Sequence, residues 1–346
     1  MHTLLARLLA TLAATAAAAT AHAGTGVMTL PATAGDGPVT VFYPTPQADA
    51  PVKRGPFQLS LAENATPTRG NGRLVVISHG SGGSGWESTD LAKVLVADGF
   101  MVAVPEHRGD NARDHGDMGP ASWKQRPVEV SHAIDAVGRS PVLAPLVSLQ
   151  SVGMYGMSAG GHTALTLAGG RWSPAQLRRH CEAHIDDDFA SCVGPITQLR
   201  GNLFDGMKKA VALAVIRVKI RNDSWYEYRD PRVQAVVAGV PFAVDFDAAS
   251  LARPGVPLAL VTSGKDPWLA PRFHSDRVLQ ACRPRCELLA DLPDGGHGAL
   301  LSPLPPAEVL SPVVARLLAD PPGFDRAQMP AVDQRIAAFF RQHLLP

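Results

Sequence analysis

The sequence predicts an α/β fold: a mostly parallel, twisted sheet with helices over both faces. Three observations carry that prediction. From Val39 onward, short apolar runs bounded by glycine and proline alternate with longer helix-forming stretches, the rhythm of βα units rather than of a meander. Several of the runs are apolar throughout, as strands buried on both faces are. At one junction, Ser151-Val-Gly-Met-Tyr-Gly-Met-Ser-Ala-Gly-Gly-His162, an apolar run passes through Gly156-Met-Ser-Ala-Gly160 directly into a helix-forming segment.

Taken in order, Met1 to Ala23 reads as an export leader. It has a weakly basic start (His2, Arg7), an alanine-leucine stretch, and Ala21-His22-Ala23 as a small-x-small cleavage site. A retained anchor is the alternative. The mature chain, 24–346, is expected as one α/β domain carrying insertions, periplasmic or secreted. Val39–Tyr43 is a first strand with alternating pattern, and Arg73–Ser78 a buried one, followed by glycines and a helix over Asp90–Ala97. Phe100–Pro105 is a strand and Val128–Val137 a helix. After the Gly156–Gly160 turn, Val233–Val240, Leu258–Thr262 and Cys286–Leu289 read as strands, and Ala331–His343 as a closing amphipathic helix. Arg171–Asp230 breaks this rhythm and is longer than a crossover needs. It holds a basic-apolar helix near Met207–Ile220 and the aromatics Trp225, Tyr226 and Tyr228. We read 171–230 as a cap-like insertion whose three aromatics bind substrate, against a surface excursion without substrate contact.

Composition narrows the partners. Hydrophobic residues make up 46% and charged residues 18%, which supports a packed core. A net charge of +1 gives no reason to expect nucleic acid or an anionic membrane surface. No stretch beyond the leader is long and apolar enough to cross a bilayer, so stable membrane insertion is not expected. The four cysteines of an exported chain read as two disulfides, Cys181–Cys192 and Cys282–Cys286 closing the shortest loops. A zinc site is the competing reading, but the first pair lacks a close cysteine-histidine repeat.

The chemistry centres on Ser158. A serine in a tight strand-to-helix turn needs small neighbours, which Gly156 and Gly160 supply, and it sits over the positive end of a helix dipole. An activated serine needs a base, an orienter and an oxyanion site. His297 lies in the glycine-flanked loop Pro293-Asp-Gly-Gly-His-Gly298 near the C-terminus and is the expected base. His162 is expected to pack just past the turn, and His343 to be solvated. Asp266, at the carboxyl end of the Leu258–Thr262 strand, is the expected orienter, with Asp247 and Asp245 as rivals. Donors for a developing oxyanion are expected from the amide of Ala159 and, in His79-Gly-Ser-Gly-Gly83, that of Ser81, with His79 bracing the loop. Glu106–His115 mixes carboxylates and histidines with Arg108 and Arg113; it reads as an ion-paired loop at a pocket rim rather than a metal site. No metal or cofactor is expected.

These residues resemble the α/β-hydrolase superfamily, and more narrowly its dienelactone-hydrolase-like and platelet-activating-factor-acetylhydrolase-like group. The resemblance is carried by Ile77-Ser-His-Gly-Ser-Gly-Gly83, Asp98-Gly-Phe-Met-Val-Ala-Val-Pro-Glu-His-Arg108, Gly156-Met-Ser-Ala-Gly-Gly161 and Gly296-His297. It spans Val39 to the end, excluding much of 171–230. Dienelactone hydrolases proper use a cysteine where this chain has Ser158. The acetylhydrolases carry their acid one strand earlier, where this chain has Ala238-Gly-Val-Pro241. The expectation is therefore an exported, cofactor-independent serine esterase acting on a small or lipid-like ester. A serine peptidase or amidase and a catalytically silent binding protein of the same fold are the alternatives.

Overall fold

The structure, a computed structural model, describes residues 24–33 and 35–346. The expected leader lies outside the described residues. Ten strands form one sheet: β1 (Gly24–Leu30), β2 (Val39–Thr45), β3 (Ala50–Arg54), β4 (Phe57–Glu63), β5 (Leu74–Ser78), β6 (Met101–Pro105), β7 (Val152–Met157), β8 (Val233–Gly239), β9 (Leu258–Ser263) and β10 (Cys286–Leu292). Their order is β10-β9-β8-β7-β5-β6-β2-β1-β4-β3. From β6 to β10 every pairing is parallel; β2 joins β6 and β1 antiparallel.

Among the described residues ten α-helices accompany them: α1 (Thr89–Ala97), α2 (Pro120–Arg139), α3 (Ala159–Leu167), α4 (Pro174–His184), α5 (Phe189–Val193), α6 (Asp205–Lys219), α7 (Ala248–Leu251), α8 (Ser275–Cys282), α9 (Pro312–Leu318) and α10 (Met329–Leu344). The two-residue period of a strand sends its side chains to both faces. In β5, Leu74 and Val76 join a core formed with α2, α3 and α8, while Val75 and Ile77 join a second core with α1 and α10. Burial on both faces is why these strands are apolar throughout.

The structure extends the sequence reading at several points. Three strands, β1, β3 and β4, precede or follow the expected first one. In β4, buried Phe57, Leu59 and Leu61 alternate with exposed Gln58 and Ser60, a period-two signal that was available to find it. β3 carries Pro51, which its place at the sheet edge tolerates. Helix α2 begins at Pro120, well before Val128, and runs through Pro127. An interior proline costs a helix about 3 kcal/mol in isolation; here Trp123, Arg126 and Val130 on either side of it are buried and hold the helix in place. His343 is half-buried on α10 against Phe339, not solvated. Both cysteine pairs are joined as expected, Cys181–Cys192 within the insertion and Cys282–Cys286 between α8 and β10.

The chain leaves β5 to build β6 on one side and returns to build β7 on the other. Loops at the carboxyl ends of β5 and β7 therefore diverge over a crevice, the position where open α/β sheets bind ligands.

Candidate active site

Ser158 ends β7 and begins α3 with φ 59° and ψ −116°, one of three non-glycine residues at positive φ among the described residues. Its neighbours hold it there. Its amide donates to Gly239 O (3.1 Å), and its carbonyl accepts from His162 N (3.0 Å) and Phe242 N (3.2 Å). A Cβ on Gly156 would stand 2.0 Å from Gly160 O, and one on Gly160 1.9 Å from Ser78 O. The flanking glycines are thus steric requirements of the turn.

The structure brings Ser158, His297 and Asp266 together. His297 Nε2 is 3.0 Å from Ser158 Oγ, and His297 Nδ1 is 2.7 Å from Asp266 Oδ2. Asp266 Oδ1 accepts the amides of Trp268 and Leu269, both at 2.8 Å, which fixes the carboxylate. The loops after β9 and β10 are laced to each other through Gly264 N to Leu292 O (2.8 Å) and Lys265 N to Gly295 O (2.9 Å). This lacing delivers acid and imidazole as one unit. Trp268 packs against the imidazole, ring centroids 5.0 Å apart. With Nδ1–H given to Asp266, Nε2 is free to accept the serine proton.

The rival carboxylates are engaged elsewhere. Asp247 caps α7 through Ala249 N (3.2 Å) and pairs with Arg171 (3.0 Å). Asp245 meets buried His162 (3.1 Å), and Asp294 pairs with Lys265 (2.6 Å). In the Glu106–His115 loop, Arg113 pairs with Glu106 as expected, but Asp110 turns inward to buried Arg126 (2.9 Å).

That inward pair organises the glycine loop after β5. Asp110 Oδ1 accepts Ser81 Oγ (2.6 Å) and Gly82 N (2.9 Å). Burial pushes the Asp110 carboxyl up, but the Arg126 guanidinium and these hydrogen bonds pull it down to about 2 overall. Arg126 also donates to His79 O (2.6 Å) and Gly80 O (3.3 Å). Gly80 O further accepts from His79 Nδ1 (2.7 Å) and Gly83 N (3.2 Å). His79 Nε2 accepts the amide of His107 (3.3 Å), so the ring proton is on Nδ1; burial holds both imidazoles neutral, well below the usual histidine range. In the trans Gly80–Ser81 peptide the Ser81 N–H points opposite to the anchored Gly80 carbonyl. Gly80 itself lies against Ser158, its Cβ position 3.7 Å from Ser158 Cβ. Among the described residues, neither the Ser81 nor the Ala159 amide has an acceptor. Sequence reasoning missed Arg126 because, Ser122 apart, its partners Asp110 and Ser78 to Gly80 lie 16 to 48 positions away in the chain.

The insertion aromatics find other partners. Trp225 lies under the Arg171 guanidinium (4.7 Å), Tyr226 stacks on Trp172 (5.0 Å), and Tyr228 donates its hydroxyl to Ser131 Oγ (3.0 Å). None of the three touches Ser158, Asp266 or His297 among the described residues. The aromatic ring in contact with one of those residues is that of Trp268, on His297; Phe242 meets Ser158 through its amide, while its ring packs on Trp123 with centroids 4.5 Å apart.

No protein-family model and no curated relative matches the chain. Among solved structures it resembles a ferulic acid esterase from Streptomyces cinnamoneus, at 18% identity, with a TM-score of 0.56 over 93% of this chain and 89% of that one. Together with the strand order, this makes the architecture the α/β-hydrolase fold.

Proposed function

We propose that this chain is an exported serine carboxylic-ester hydrolase of the dienelactone-hydrolase-like and acetylhydrolase-like kind, acting on a small or lipid-like ester. One observation carries the reading: the hydrogen-bonded line from Asp266 through His297 to Ser158, ending at a serine strained into the turn between β7 and α3. In this mechanism His297 Nε2 takes the Ser158 proton as Oγ attacks the ester carbonyl. The same imidazolium then returns the proton to the leaving alcohol, and Asp266 stabilises it meanwhile. The Ser81 and Ala159 amides receive the oxyanion. Water, deprotonated by His297, then releases the acid from the acyl-enzyme. Trp268, beside His297 and partly exposed, offers apolar surface for the acyl or alcohol group.

Ester rather than amide chemistry is supported by the name of the fold neighbour. Export is supported by the leader pattern and the two disulfides. We further propose that 171–230 caps the site. Its Gly194–Ile196 turn packs on α9, Gln198 accepts two hydrogen bonds from Arg316 (3.1 and 2.9 Å), and α9 closes over the His297 turn. The test is hydrolysis of nitrophenyl esters of rising chain length beside the matching anilides. Ester turnover is expected to fall about 10⁴-fold or more in a folded Ser158→Ala protein. Turnover that survives the substitution, or anilides cleaved in preference to esters, would overturn the assignment.

A further inference from the structure

Helix α6 is apolar on two opposite sides. Toward the protein, Ile216 is buried and Leu213 and Ile220 pack on the same core. Toward solvent, Met207, Val211, Val215 and Val218 recur every three or four residues, one face of a helix. They remain 59%, 57%, 51% and 58% exposed. The approach to the helix adds Ile196, Leu203 and Phe204, at 85%, 99% and 64%. A helix on a globular surface ordinarily turns a polar face outward. A continuous exposed apolar stripe marks a surface meant to be covered.

The charges around the stripe identify what covers it. Between Asp205 and Arg221 the chain carries Lys208, Lys209, Arg217, Lys219 and Arg221 against the single acid Asp205. By helical periodicity Lys208 and Lys219 border the stripe on one side and Arg217 on the other. Lys208 pairs with Asp205, Lys209 with Asp186 and Arg217 with Glu182. Lys219 and Arg221 have no carboxylate partner among the described residues. A second copy of the chain, stripe against stripe, would bring its own α6 cations and leave Lys219 and Arg221 without a new carboxylate, since Asp205, Asp186 and Glu182 are already paired. An anionic lipid surface does the reverse, since long basic side chains reach phosphates while the apolar face enters the headgroup boundary.

We propose that α6 and the Ile196–Phe204 approach form a peripheral docking surface for anionic lipid membranes. The near-neutral net charge argues against such a partner only as an average; Lys219 and Arg221 stay without a carboxylate partner among the described residues at one end of the stripe. This surface belongs to the insertion that touches α9 above His297, so the protein docks with its proposed cap toward the lipid. The proposal does not depend on the esterase reading.

Flotation of the purified protein with large vesicles tests it. Vesicles of equal parts phosphatidylcholine and phosphatidylglycerol should carry the protein upward. Phosphatidylcholine alone should bind it about tenfold more weakly or less, and raised salt should release it. Val211→Glu with Val215→Glu should lower binding to anionic vesicles by about tenfold or more. Hydrolysis of a soluble short-chain nitrophenyl ester and the circular dichroism spectrum should not change. Lys219→Gln with Arg221→Gln should lose the preference for anionic over neutral vesicles, and serves if the glutamate variant misfolds. Absence of flotation by folded wild-type protein overturns the proposal. So does equal flotation of the glutamate variant, which would assign binding to another segment. A wild-type dimer that the glutamate variant converts to monomer, seen by light scattering, would give the stripe to a second copy instead.

Discussion

Asp266→Asn keeps the shape of the side chain but offers His297 the wrong partner, so turnover should fall about 10⁴-fold while the protein stays folded. Asp247→Asn keeps a side-chain cap for α7, loses only the surface ion pair with Arg171 and should change turnover by less than about threefold. Steady-state kinetics on one activated ester decides between them, and the reverse ranking would move the acid one strand earlier. A second residue-scale expectation concerns the loop after β5. Ser81→Ala keeps the amide that faces the nucleophile, so it should cost less than about tenfold. Asp110→Asn keeps an acceptor for Ser81 and Gly82 but removes the charge that holds Arg126, and with it the anchor on the Gly80 carbonyl. Loss of one preorganised donor costs about 10²–10³ in kcat, and the effect of Asp110→Asn should lie in kcat with KM nearly unchanged. A rise in KM with kcat unchanged would mean that the pair serves substrate binding and not the oxyanion donors. At this scale the sequence was most legible where chemistry is punctuated locally. Ser158, His297 and Asp266 each stand beside glycines or at a strand end, whereas Arg126 sits mid-helix beside a proline and acquires its meaning only when α2 packs under the loop.

Elements were legible in proportion to how far their pattern is set by burial on both faces. β5 through β9 are apolar runs because each lies between two layers of helix, and their ranges were read to within a residue or two. β1 and β3 carry glycine or proline and lie in the antiparallel flank, where half-exposed strands need no apolar run. The insertion was legible as an interruption, but its aromatics were not legible as to direction: Tyr226 and Tyr228 face Trp172 and α2, and Trp225 takes a surface guanidinium. This gives a comparison at the level of elements. If the acyl chain lies along the Asp266–Trp268 turn, Trp268→Ala should flatten the gain in kcat/KM per added methylene. That gain is about 0.8 kcal/mol where the methylene is fully buried. Trp225→Ala should give a profile parallel to wild type. A chain-length series at fixed pH measures both slopes, and a flattened slope in Trp225→Ala alone would return acyl recognition to the insertion.

The whole molecule joins two kinds of buried carboxyl with opposite pH behaviour. Burial raises Glu87, beside the loop after β5, to about 7, and raises Asp333 on α10 to about 7 with help from the nearby Asp90 charge. An unfolded carboxyl titrates near 4. Between about pH 4 and 7 the unfolded chain therefore releases these two protons while the folded chain keeps them. Their contribution is full in acid and is lost as the pH rises through 7. Asp110 behaves the other way: burial opposes its charge, Arg126 more than compensates, and its contribution is lost as the pH falls from about 4 toward 2. Buried His79 and His107 oppose the first trend: the fold keeps them neutral, so their contribution is lost as the pH falls through the usual histidine range, and none of this shows in a net charge of +1. Asp333→Asn supplies a neutral side chain of the same shape, so it should stabilise the protein at pH 8, where the wild type must hold a buried charge or bind a proton. A gain on the order of 1 kcal/mol corresponds to about 2–4 °C in Tm for a domain of comparable size. At about pH 3 the wild-type group is mostly protonated in the folded and the unfolded chain alike, and the two proteins should melt within about 1 °C of each other. Thermal unfolding followed by circular dichroism at the two pH values makes the comparison. An equal shift at both would mean that Asp333 is ionised in the folded protein throughout and that its neighbours, not its protonation, set the effect.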